Sequence, residues 1–170
     1  MQKMAGMAAI LIVTGICAGA PRTSAAQAAS STKTTSTAFN ACALLTTQEA
    51  ATAVGEAVGE PKPKNPPDSA MPGVSVAACE FVSAARNSLQ LTVWRPSADS
   101  AGMFVQIYKS ECLKKEQVPG LGDIACWYSK DHEELQVLKG SMILTFGIHR
   151  SGNATEALTT VAKKAVARLK

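Results

Sequence analysis

Charged and aromatic side chains are both scarce in this 170-residue chain: Asp, Glu, Lys and Arg make up 18% of it, and Phe, Trp and Tyr only 5%. A typical globular chain carries about 25% charged residues. Apolar residues still reach 46%, so the shortage does not describe a disordered, fibrous or repeat protein. The formal charge is only +4 and the basic residues are scattered, which excludes a dedicated nucleic-acid binder.

The usual catalytic and metal patterns are missing too. There is no C-x-x-C pair to support a zinc ribbon or a thioredoxin-like site. No G-x-S-x-G nucleophile elbow is present. Gly120-Leu121-Gly122-Asp123 lacks the G-K-[ST] ending of a phosphate loop and precedes a strand instead of a helix, so it reads as a turn. His132 stands in HEELQ, which lacks the second histidine of H-E-x-x-H, so no metal site is expected. It is expected in a solvated turn with Asp131, Glu133 and Glu134, and His149 at the surface beside Arg150. Glu133 and Glu134 are neighbours, and on a strand they point to opposite faces, which spoils an acid–base pair. No cofactor is implied, and the chain does not read as an enzyme.

What the N-terminus does contain is an export leader. Lys3 is a short positive region, Met4 to Ile16 an apolar stretch of thirteen residues, and Ala26-Gln27-Ala28 has the A-x-A form of a cleavage site. Cleavage is expected after Ala28, with Ala26 as the alternative. An uncleaved anchor needs about 20 apolar residues, and Pro21 and Arg22 close the stretch earlier. Cys17 follows Ile16, whereas a lipobox places a small residue there, so lipid anchoring is not expected. Removing residues 1–28 takes away Lys3 and Arg22 and no acid. Fifteen basic and thirteen acidic residues remain, a net +2. The product is expected to be periplasmic or secreted, with no stable membrane span.

Cys42, Cys79, Cys112 and Cys126 remain in the mature chain, and an even count behind a leader reads as a disulfide framework. Three connectivities are possible. Cys42–Cys79 with Cys112–Cys126 is preferred because each pair ties neighbouring elements.

Residues 29–38 are small and polar and read as a flexible tether. One domain, 39–170, follows. Thr46 and Glu49 form a capping-box pattern for a helix over about 46–54, stopped by Gly55. Residues 56–73 hold five prolines and read as a long irregular loop. Val74–Val82 and Leu89–Arg95 alternate as strands. Ser97 precedes a helix with apolar Met103, Phe104, Ile107, Tyr108 and Cys112. Strands are expected at Ile124–Ser129, Leu135–Leu138 and Met142–His149, and Asn153 with Glu156 opens a last helix. The order α-β-β-α-β-β-β-α with short turns predicts an α+β domain, a mostly antiparallel five-stranded sheet packed by helices.

Several of these segments carry a resemblance. Cys42-Ala43-Leu44-Leu45-Thr46 with Glu49-Ala50 and Gly55, then Val118-Pro119-Gly120-Leu121-Gly122-Asp123, Trp127-Tyr128 and Lys139-Gly140 together span about a third of the chain. They resemble a family of small exported bacterial domains of unknown function, many of them actinobacterial lipoproteins. The resemblance implies the fold and the export, and nothing about activity.

Strand alternation then suggests a contact surface. Leu89, Leu91 and Val93, Ile124, Cys126 and Tyr128, and Met142, Leu144, Phe146 and Ile148 are expected on the core side. The opposite side then holds Trp94 and Trp127 with Gln90, Thr92 and Thr145. An indole on a half-polar face often marks a partner site; the competing reading is that a helix or the proline-rich loop buries both rings. The expected function is an exported, non-catalytic binding or interaction module for an unidentified protein or small molecule of the cell envelope. An envelope structural or stress protein is the alternative, and an envelope hydrolase a more distant one.

Overall fold

The computed structural model describes residues 39–64 and 72–169. The expected leader 1–28, Cys17, the tether 29–38, and Pro66 and Pro67 of the proline-rich stretch lie outside the described residues.

A single 3-10 turn, Ala41–Leu44, leads into α1, Thr47–Val54. The capping box is complete. Thr46 Oγ1 accepts from the Glu49 amide at 3.2 Å, and the Glu49 carboxylate accepts from the Thr46 amide at 2.9 Å. Gly55 closes the helix in the left-handed region at φ 88°, where a Cβ would be strained.

The strands are β1 Lys62–Lys64, β2 Val74–Val82, β3 Ser88–Pro96, β4 Ile124–Trp127, β5 Glu134–Lys139 and β6 Met142–His149. They form one sheet in the order β1-β2-β3-β6-β5-β4, every pair antiparallel. The sheet therefore has six strands where five are expected. The extra one is β1, a Lys-Pro-Lys segment inside the stretch read as irregular. Pro63 lacks a backbone N–H, which a strand tolerates only at an edge, and β1 is an edge.

Helices lie on both faces of the sheet. On the first, α1 and α3, Thr155–Ala167, pack with the 3-10 turn over Cys79, Phe81, Leu89, Leu91, Val93, Leu135, Val137, Leu144 and Phe146, all fully buried. Arg168 fastens this layer. Its guanidinium grips the Glu49 carboxylate with two bonds of 2.7 and 2.8 Å and donates to the Leu44 carbonyl at 2.8 Å. The Arg168 bonds hold the Glu49 carboxyl well below its usual range, at about 2. On the second face lies α2, Ala98–Cys112. Its Phe104, Tyr108 and Cys112 meet Cys126, Leu138 and Ile143 in a smaller core.

One disulfide ties each layer to the sheet. Cys42–Cys79 joins the 3-10 turn to β2, and Cys112–Cys126 joins the end of α2 to β4. Two such bridges are compatible with an oxidising compartment. Among the described residues no helix is long and apolar enough to cross a membrane.

Two helix starts differ in detail from the sequence pattern. Ser97 occupies the N-cap of α2 without a side-chain capping bond; its hydroxyl pairs with that of Ser100 at 2.9 Å. Ala154 holds the N-cap of α3, while Asn153 accepts from the Thr155 amide at 2.8 Å and Glu156 closes no capping box.

Candidate functional site

Strand pairing lays the side chains of the α2 face out in rows. The first, Val76–Trp94–Ile143–Leu138–Ile124, lies under α2. The next, Ala78–Thr92–Thr145–Gln136–Cys126, runs along the helix's border. The third, Glu80–Gln90–Gly147–Glu134, is open. Gly147 stands mid-strand with nothing within 4 Å of where a Cβ would point, so neither crowding nor a positive φ demands a glycine there. It leaves a bare spot between Gln90 and Glu134.

The border of α2 forms a groove of about 180 Å³, lined by Trp94, Phe104, Ile107, Tyr108, Tyr128, Ile143 and the polar Glu111, Gln136 and Thr145. Its polar groups are partly committed. The Gln136 amide donates to Glu134 at 3.0 Å, and Glu111 pairs with Lys114 at 2.7 Å. Burial raises the Tyr108 hydroxyl well above its ordinary range, so the phenol stays neutral on the groove wall.

Two of the groove's walls, Ile107 and Tyr128, are among the exposed large apolar side chains. Met103 is 67% exposed and Ile107 51%, on one edge of α2; Leu113, just past the helix end, is 67% exposed, and Tyr128 42%. The helical stripe expected to be core thus splits. Phe104, Tyr108 and Cys112 point down at the sheet, whereas Met103 and Ile107 sit one step round the helix and reach solvent.

The candidate residues divide accordingly. Trp94 and Thr145 line the groove, Thr92 shares the border row of Thr145, and Gln90 lies one row further out on the same face. Trp127 does not join them. It sits with Ala125 on the opposite face, in the main core and only 6% exposed, while Ile124 and Cys126 face α2. The register of β4 is therefore inverted relative to the sequence expectation. Its cause is the bridge to Cys112, which turns Cys126 toward α2 and so sends Trp127 the other way.

Tyr128, placed with the core by alternation, is the aromatic partner that replaces Trp127 at the groove. It also lines a second cavity of about 350 Å³, together with Trp127, Ser129, His132, Glu116, Lys114, Lys115 and Lys130. Lys115 Nζ stands 4.0 Å above the Tyr128 ring centre.

His132 is not the freely solvated turn residue expected. Its side chain is 28% exposed, and its ring packs against Trp127 with centroids 4.7 Å apart. Nε2 meets the Glu116 carboxylate at 2.9 Å and Nδ1 the Thr155 hydroxyl at 3.3 Å. It holds φ 59°, a left-handed conformation unusual outside glycine. Sequence separations of 16 and 23 residues hide both contacts. His149 is exposed at the end of β6 beside Ser88, as expected.

Gly120-Leu121-Gly122-Asp123 is a turn. Leu121 is buried, and a Cβ on Gly122 would meet the Leu138 carbonyl at 2.5 Å, so glycine is required there. Among the described residues no group of three or more His, Cys, Asp or Glu side chains is placed to hold a metal ion.

Set beside known proteins, the chain matches no family model, no curated protein and no solved structure.

Proposed function

We propose that this chain is an exported, non-catalytic binding module whose groove between α2 and the sheet captures an apolar group. One observation carries the reading: Ile107 and Tyr128, two of the four large apolar side chains exposed among the described residues, wall that groove, and exposed Met103 stands one helical turn before Ile107 on the same side of α2. The leader and the two bridges support export into an oxidising compartment.

The sheet edges add a negative argument. β1 exposes Lys62, Pro63 and Lys64, a poor template for an added strand. Against β4 runs a strap in which the Val118 amide donates to the Ala125 carbonyl and the Trp127 amide to the Glu116 carbonyl, each at 2.9 Å. Recognition by strand addition is therefore disfavoured at both edges, which leaves a face.

A neutral naphthylamine dye tests the reading. Saturable binding at one site is expected, weakened at least tenfold by Ile107→Asp with an unchanged urea midpoint. Equal affinity in that folded variant overturns it.

A further inference from the structure

Taking the groove as the binding site, we infer that its ligand is a single-chain amphipathic anion: an alkyl chain in the groove, ending in a carboxylate that meets the lysine-lined cleft that Tyr128 also walls. The groove sets the chain. Its 180 Å³ compares with the roughly 150 Å³ apolar cavity that admits a benzene-sized guest, so it takes a short alkyl segment or the end of a longer one. Carbon dominates its walls, through Trp94, Phe104, Ile107, Tyr128 and Ile143. Its few polar groups include an amide already bonded to Glu134 and a carboxylate already paired with Lys114. A sugar would leave hydroxyls unpaired in such a slot.

Charge sets the end group. Tyr128 lines both cavities, so they share a wall. Lys114, Lys115 and Lys130 line the second, against Glu116, which is held by His132. Even after the Glu111–Lys114 pair is subtracted, positive charge remains, with Lys115 poised over the tyrosine ring and Lys130 lacking an acidic partner among the described residues. An apolar slot opening beside surplus positive charge complements a chain with a negative end and repels one with a positive end.

Calorimetric titration of the oxidised protein with hexanoate, octanoate and decanoate, and with the matching alcohols, tests this. Each added methylene should tighten binding about fourfold until the groove is full. Octanoate should bind at least tenfold better than octanol. Lys115→Glu with Lys130→Glu should erase that preference and leave octanol unchanged, Lys115→Arg should keep it, and Ile107→Asp should abolish both ligands. Equal binding of octanol and octanoate, both lost in Ile107→Asp, overturns the anionic ligand and leaves the groove standing. Binding of neither, or of both regardless of Ile107→Asp, overturns the groove as well. Self-association relieved by Ile107→Asp, or attachment to anionic phospholipid vesicles without octanoate binding, overturns the free carboxylate in favour of a second copy or a bilayer.

Discussion

The sheet meets helices on both sides, and the two layers are finished to different degrees. Under α1 and α3 nine consecutive inward positions of β2, β3, β5 and β6 are fully buried, and the helices are clipped to each other by Glu49 and Arg168. Under α2 the helix contributes three buried residues, then leaves Met103 and Ile107 in solvent and a groove at its border. The difference separates two tasks. The closed layer supplies most of the apolar burial that holds the fold, which frees the open layer to keep sticky surface that a folding core would otherwise absorb.

The largest expected effect tests that division directly. Phe146→Ala, in the closed layer, should cost about 3–5 kcal/mol in urea unfolding, whereas Phe104→Ala, whose ring already borders the groove, should cost roughly half as much. Equal losses would mean that the two layers share the burden. The disulfides come next. Replacing both cysteines of Cys42–Cys79, 37 residues apart, should cost about 4 kcal/mol, and of Cys112–Cys126, 14 apart, about 3 kcal/mol, on the chain-entropy account. The sharper readout is affinity for the dye. Only loss of the second bridge, which anchors the end of α2, should weaken it; a loss with both variants would erase the distinction between the layers.

The smallest effect is acid sensitivity. Arg168 lowers the Glu49 carboxyl from an ordinary 4.5 to about 2 in the folded protein. That stability is complete above about pH 4.5 and is lost as pH falls toward 2. Arg168 is 37% exposed, so screening keeps the contribution near 1 kcal/mol. Arg168→Ala should flatten the stability profile between those pH values while leaving dye binding at neutral pH intact.

Local chemistry was the readable part of this sequence. The Thr46–Glu49 capping box, the stop at Gly55 and the limits of β2 and β6 all appear where residue patterns put them. β1 was hidden because prolines argue against a strand wherever its place in the sheet is unknown. The face of Trp127 was hidden for another reason. Ile124, Ala125, Cys126, Trp127 and Tyr128 are apolar or aromatic on both sides, so alternation alone could not set their phase. The clue lay in the cysteines: if Cys126 bonds Cys112 on α2, Trp127 must face away. Reading that clue requires knowing that helices lie on both sides of the sheet, which element order does not reveal. The groove follows from the same fact. Trp94 and Thr145 were identifiable on their strands, but Ile107 and Tyr128 become its walls only once α2 crosses the second face.

The two guarded borders of the sheet, Lys-Pro-Lys at one and the strap of residues 116–118 at the other, reach beyond recognition. Fibre growth needs a long free backbone ladder on which the next molecule can template, and this sheet offers a three-residue Lys-Pro-Lys edge at one border and a strapped strand at the other. Contact between copies would then run through exposed side chains such as Met103 and Ile107 more readily than through backbone pairing.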